Sequence, residues 1–306
     1  MQSRVSCLVV GMLSLVFSNL AGAQGYQWTE ILVEGAQVVQ VFGLNDKGQT
    51  ATTTSIGSGI YGNGTFTPLP PPPPGYQVTA LGINNGGVIT GVATTAGIQL
   101  GFILRGSTYT FFSRPDWDNT APRAIADTEL ISGYNNSNDG TRFAGFIYDP
   151  ATDTFTDATP PGSNNTIVQG INNLGRITGH GQDTVIGRYG FVWQQGTITK
   201  GTGELLPFLS RFKIDTSLSA SARGINDSGV VTGFASTRAG TNDGFVGNDA
   251  LGYQRLVAPG GEIAGNSTYC SGINNSNQVA CYVWDSASFP LAAFIGSPPK
   301  GGADRH

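Results

Sequence analysis

One short phrase returns six times along this chain. It reads Gly43-Leu44-Asn45-Asp46-Lys47-Gly48, then Gly82-Ile83-Asn84-Asn85-Gly86-Gly87, then a degenerate copy at Ala124-Ile125-Ala126-Asp127. It continues as Gly170-Ile171-Asn172-Asn173-Leu174-Gly175, Gly224-Ile225-Asn226-Asp227-Ser228-Gly229 and Gly272-Ile273-Asn274-Asn275-Ser276-Asn277. Asn opens a type I turn well because its side chain can accept a backbone N–H two residues on. A later Gly takes the left-handed position that would strain a side chain. Together they predict a hairpin loop with a bulge. Ile83 with Ile89, Ile171 with Ile177 and Ile225 with Val231 are then expected as cross-strand pairs.

Each copy is followed by two more strand phrases. The third strands are read at Gly59-Ile60-Tyr61, Gly101-Phe102-Ile103, Gly145-Phe146-Ile147, Gly190-Phe191-Val192, Gly244-Phe245-Val246 and Ala293-Phe294-Ile295. Short alternating outer strands follow at Thr65–Thr67, Tyr109–Phe111, Thr154–Thr156, Thr197–Thr199 and Tyr253–Leu256. The last copy has no outer strand after it, whereas Tyr26–Val33 precedes the first and resembles one. Repeat units that cannot bury a face alone must stack on their neighbours. The chain is therefore expected to be all-β: a six-bladed β-propeller with four strands per blade, closed by the N-terminal strand completing the last blade. Intervals between copies run from 39 to 54 residues, so insertions fall in loops. The longest is expected near 204–218.

Residues 1–23 read as a secretory signal peptide, with one early positive side chain, an apolar run and a small-residue cleavage site at Ala21-Gly22-Ala23. The propeller is assigned to 24–298 and a short tail to 299–306. A secreted or periplasmic location is expected, with no membrane span in the mature chain. Charged residues make up 12 % of the chain, about half the usual share. The net charge is −4 and no basic stripe is visible, which argues against nucleic-acid binding. Cys270 and Cys281 remain after cleavage. A two-residue hairpin loop would set them directly opposite. A bulged loop would set Cys281 against Ser271, so a disulfide is left open.

The core phrase resembles that of the HAF-type extracellular repeat family, bacterial secreted proteins with Gly-Ile-Asn-x-x-Gly-x-(Ile/Val)-x-Gly followed by His-Ala-Phe. The resemblance spans nearly the whole mature chain. Leu100-Gly101-Phe102 and Tyr189-Gly190-Phe191 depart from His-Ala-Phe. The resemblance implies an exported β-propeller and little chemistry.

Candidate site residues lie where the copies disagree. The residue before each core Gly or Ala is Phe42, Leu81, Arg123, Gln169, Arg223 and Ser271, each expected around a central channel. Arg123 and Arg223 converging there would suit a carboxylate or sulfate. The competing reading pairs them with Asp127 and Asp227. His180 stands where other copies have Val92, Tyr134, Phe234 and Tyr282, which reads as packing, with a catalytic role as the alternative. Trp117 is read either as a stacking platform for a sugar or as a plug between blades. Asp139, among clustered oxygen donors, invites a calcium reading, with a polar surface loop as the simpler one. No zinc, phosphate-loop or nucleophile-elbow phrase occurs, so neither metal nor cofactor is expected. The function expected is a monomeric binding or structural module for a glycan, including an acidic polysaccharide, or for a surface protein. The alternative is a polysaccharide lyase or hydrolase built at the channel mouth from Arg123, Arg223, His180 and a Tyr.

Overall fold

The computed structural model describes residues 25–160, 163, 165–183, 187–194, 204–205, 220–248 and 250–299. β1 is Gln27–Glu30. The first blade holds β2 (Val38–Leu44), β3 (Thr50–Thr54), β4 (Gly57–Gly62) and β5 (Thr65–Pro68). The second holds β6 (Gln77–Ile83), β7 (Ile89–Thr95), β8 (Ile98–Arg105) and β9 (Thr108–Phe112). The third holds β10 (Asn119–Ile125), β11 (Ile131–Asn136), β12 (Phe143–Asp149) and β13 (Thr154–Asp157). The fourth holds β14 (Asn165–Ile171), β15 (Arg176–Asp183), β16 (Gly187–Gln194) and β17 (Glu204–Leu205). The fifth holds β18 (Ala220–Ile225), β19 (Val231–Ser236), β20 (Asn242–Asn248) and β21 (Gly252–Leu256). The sixth holds β22 (Ser267–Ile273), β23 (Val279–Trp284) and β24 (Pro290–Ser297).

These strands form six four-stranded antiparallel sheets, the architecture of a six-bladed propeller. In the sixth sheet β1 lies beside β24, with Trp28 opposite Gly296 and Glu30 opposite Phe294. Third-strand aromatics fill the space between blades. Phe102, Phe146, Phe191 and Phe245 are all buried there. Ile83 faces Ile89, Ile171 faces Ile177 and Ile225 faces Val231, as the hairpin reading requires.

Two strand readings need correction. β4 is shifted by one: Gly59, not Ile60, takes the position of Phe102, because Thr52 pairs with Gly59 where Gly91 pairs with Phe102. The ring of Phe66 fills the vacated space, close enough that a Cβ on Gly59 would lie 2.6 Å from it. In the fourth blade Leu205 and Glu204 pair with Phe191 and Val192, so the expected insertion supplies the outer strand. Thr197–Thr199 lies outside the described residues, as do 206–219, the leader 1–23 and the tail beyond Pro299.

The repeated loop is the bulged form. Asn45 N donates to Gln49 O and Gly48 N to Asn45 O, with Gly48 at φ 72°. A second bulge follows in the innermost strand of every blade, at Leu81, Arg123, Gln169, Arg223 and Ser271, and across Phe42-Gly43 in the first. A bulge re-aims a side chain and bends the strand. Here the bent strand presses its backbone on the next one. A Cβ on Gly91, Gly179 or Gly233 would lie 2.0 to 2.2 Å from the carbonyl oxygens of Thr79, Ile167 and Ser221. In those three blades the second Gly of the repeat leaves room for the carbonyl, whereas Thr52 and Cys281 hold the same position in the first and sixth blades.

The second bulge also decides the cysteines. The bulged loop alone would place Cys281 opposite Ser271, but Ser271 is itself the extra residue, which restores the register. Cys270 and Cys281 are directly paired and joined by a disulfide with Sγ–Sγ 2.01 Å.

Candidate functional site

The six bulges aim six side chains at one cavity of about 70 Å³ on the central axis. Phe42 and Leu81 of the first two blades form one side. Arg123, Gln169, Arg223 and Ser271 of the other four form the rest. Below them a girdle of Leu44, Ile83, Ile125, Ile171, Ile225 and Ile273 separates this cavity from the far mouth, and all six are buried.

Two guanidinium groups line the near mouth, and the charge of a third, Arg188, acts on one of them. Arg123 donates to the Tyr134 Oη at 3.1 Å and lies over that ring, 5.2 Å from its centre. Arg223 lies over Phe234 at 5.0 Å. Arg188 contacts Nε2 of His180 at 2.8 Å. Burial holds the Arg223 guanidinium below the ordinary arginine range. The Tyr282 and Tyr134 hydroxyls oppose this, while Arg123 and Arg188 add to it. His180 is held well below the ordinary imidazole range, first by burial, then by the charges of Arg188, Arg223 and Arg123. The mouth is therefore one electrostatic neighbourhood. Among the described residues the ion pairs involve Arg105, Arg114 and Arg255 instead. The Nε atoms of Arg123 and Arg223 are buried without a hydrogen-bond partner.

Asp127 and Asp227 do not reach these arginines. They stand at the far mouth, in a closed ring with Asp46, Asn85, Asn173 and Asn275. Around it each backbone N–H donates to the side-chain Oδ1 of the next blade, from Asp46 to Asn85 (2.7 Å) through to Asn275 to Asp46 (2.7 Å). Each Asn Nδ2 also donates to the Oδ2 of both flanking aspartates, at 2.8 to 3.0 Å. The repeated Asn one position earlier forms an inner ring, with Asn45 Nδ2 donating to Asn84 O and Asn274 Nδ2 to Asn45 O. These asparagines cap turns and also stitch blades together.

His180 is 7 % exposed and both its nitrogens are engaged, Nδ1 with Ser221 Oγ at 2.9 Å. Trp117 lies in the loop between β9 and β10. It is half-buried, with the Arg142 guanidinium 4.7 Å over its ring. The Asp139 carboxylate accepts from Ser137 Oγ at 2.5 Å and from Thr141 N and Oγ1, which lowers its pKa to about 2. That is the chemistry of a self-satisfied turn. Among the described residues no group of three His, Cys, Asp or Glu side chains is arranged to hold a metal ion. Nor is any described helix long and apolar enough to cross a membrane. Sequence reasoning missed Arg188, which lies outside the repeated phrases and reaches His180 from β16.

No family model matches the chain, and no curated protein sequence matches it. Solved propeller structures resemble it at low identity. An extracellular domain of B. thetaiotaomicron assigned to a one component system is 13 % identical, with a TM-score of 0.42 over 89 % of this chain and 40 % of that one. This chain thus spans about two fifths of that structure's length. TolB from Acinetobacter baumannii is 10 % identical, TM-score 0.48, over 86 % and 64 % of the two chains. The Aleuria aurantia lectin is 9 % identical, TM-score 0.48, over 90 % and 99 %. The functional reading consequently rests on the residues of this chain alone.

Proposed function

We propose that the protein is an exported binding module that takes an anionic group of a glycan or surface protein into the mouth lined by Arg123 and Arg223, with the charge of Arg188 close by. The observation that carries this reading is the convergence of three guanidinium charges with no carboxylate paired to them among the described residues. Unpaired cations in a partly desolvated mouth repel one another, and an oxyanion relieves that repulsion. The test is binding of the purified mature protein to sulfated, uronate-containing and neutral glycans and to surface proteins. Binding to acidic ligands should weaken with salt and fall at least tenfold in Arg123→Gln and in Arg223→Gln. Equal binding of neutral and acidic ligands would overturn the reading.

A second reading, a polysaccharide lyase, is favoured by one contact. Arg123 bound to the Tyr134 hydroxyl pairs a carboxylate neutraliser with a phenol able to act as base. His180 is unsuited to that role because its lone pair already accepts from Arg188. Formation of unsaturated uronate products, lost in Tyr134→Phe, would favour the lyase. Three inferences accompany the binding reading. The chain belongs with HAF-type extracellular repeat proteins and is exported by removal of residues 1–23, and β1 closes the ring as the outer strand of the sixth blade.

A further inference from the structure

The near mouth is chemically divided. Phe42 and Leu81, from adjacent blades, present apolar surface to the same cavity as Arg123, Gln169, Arg223 and Ser271. Below it lie the backbone of the Gly-rich positions and the aliphatic girdle. A bare oxyanion such as sulfate satisfies the guanidinium half but sets its hydration shell against Phe42, Leu81 and the girdle. An apolar sugar or alkyl group satisfies the other half and leaves the cations unpaired. A cavity of about 70 Å³ holds several waters or one small group, at roughly 10–15 Å³ for each water. It cannot take a chain threaded through it, so the ligand must enter by an end.

We infer that the mouth recognises a terminal carboxylate carrying an apolar group on the adjacent carbon. This rests on the anion-binding reading above and narrows it. The carboxylate lies between the guanidinium groups of Arg123 and Arg223, while the apolar substituent covers Leu81 and Phe42, all four of which line the cavity. Two sources supply this chemistry: the C-terminus of a polypeptide with an apolar last residue, and a free aliphatic or aromatic acid. Each methylene that covers the apolar half adds about fourfold in affinity.

The experiment is calorimetry on the mature protein with phenylacetate, acetate, sulfate and phenylacetamide, and with a peptide ending in Leu as free acid and as amide. Phenylacetate or the free-acid peptide should bind at least tenfold more tightly than acetate or sulfate, and the amides should not bind. Binding of the peptide without the small acid assigns the source to a polypeptide end; the reverse assigns it to a metabolite. Leu81→Gln, with its fold checked by circular dichroism, should erase the preference for phenylacetate over acetate and sulfate. Leu81→Met, which conserves volume, should retain the preference. If sulfate and acetate bind as tightly as phenylacetate, the inference falls while the anion-binding reading stands. If no anion of any kind binds, both fall.

Discussion

Arg188 and His180 meet at 2.8 Å, and the contact determines which tautomer the imidazole adopts. A guanidinium only donates, so Nε2 must accept, and the ring proton sits on Nδ1, from which it donates to Ser221 Oγ. Protonating Nε2 would break the Arg188 contact and place a new charge among three cations.

The pH dependence follows from that arrangement. The folded His180 titrates well below 6.5, its unfolded value, because of burial and then the neighbouring arginines. The unfolded chain therefore binds more protons in the window below pH 6.5, and stability rises with pH there. Stability from this residue should be complete above about pH 6.5 and decline as the pH falls towards the folded value. Urea unfolding at pH 7.5 and 5 should show the decline in the parent and a smaller one in His180→Phe. An equal decline in both would rule His180 out as its source.

Asp127 accepts two Asn Nδ2 donors on one oxygen. Asp127→Asn turns that acceptor into a donor facing two donors. A loss of about 1 kcal/mol is expected, at the low end because the ring is partly exposed. Were repulsion among the three carboxylates the larger effect, the same substitution would raise the melting temperature, so the sign of the change decides.

Ala126 occupies the place of the inner-ring Asn in the third blade. Its carbonyl accepts from Asn84 Nδ2, but it has no side chain to donate onward to Asn172 or to cap its own turn. Ala126→Asn should restore both contacts and stabilise the protein by about 1 kcal/mol. Thermal unfolding checks it, and an unchanged or lower midpoint would mean the third blade has closed around the alanine.

Reduction of Cys270–Cys281, 11 residues apart in sequence, removes a short cross-link worth about 2–3 kcal/mol by the loop-entropy account. A drop in melting temperature of about 3–5 °C is expected for a domain of this size. The Cys270→Ala, Cys281→Ala double variant should match it and be insensitive to reductant.

Trp28 of β1 packs edge-on to Phe294, with ring centres 6.2 Å apart. If β1 closes the ring, Trp28→Ala should cost about 2 kcal/mol, less than a fully buried Trp would. It should also speed hydrogen exchange throughout the sixth blade, whereas exchange rising only in residues 25–31 would mean the strand is a loose edge.

What could be read from the chain alone was whatever repeats locally. Turn residues, strand alternation and the aromatic third strands act over a few neighbours, so six copies were enough to predict six blades and to point at Arg123, Arg223 and their companions. The bulge beneath each companion left only an indirect trace, a Gly on the neighbouring strand in four of the six blades, crowded there by a carbonyl of the bulged strand. Arg188, the alternating Asp–Asn ring and the separation of Asp127 and Asp227 from the arginines were not legible. They join residues 8 to 229 positions apart, and which end of a short strand a charge occupies is set by how the blades close around the axis. Local chemistry therefore determined the repeat, while ring closure alone decided which side chains share a mouth and which face away from it.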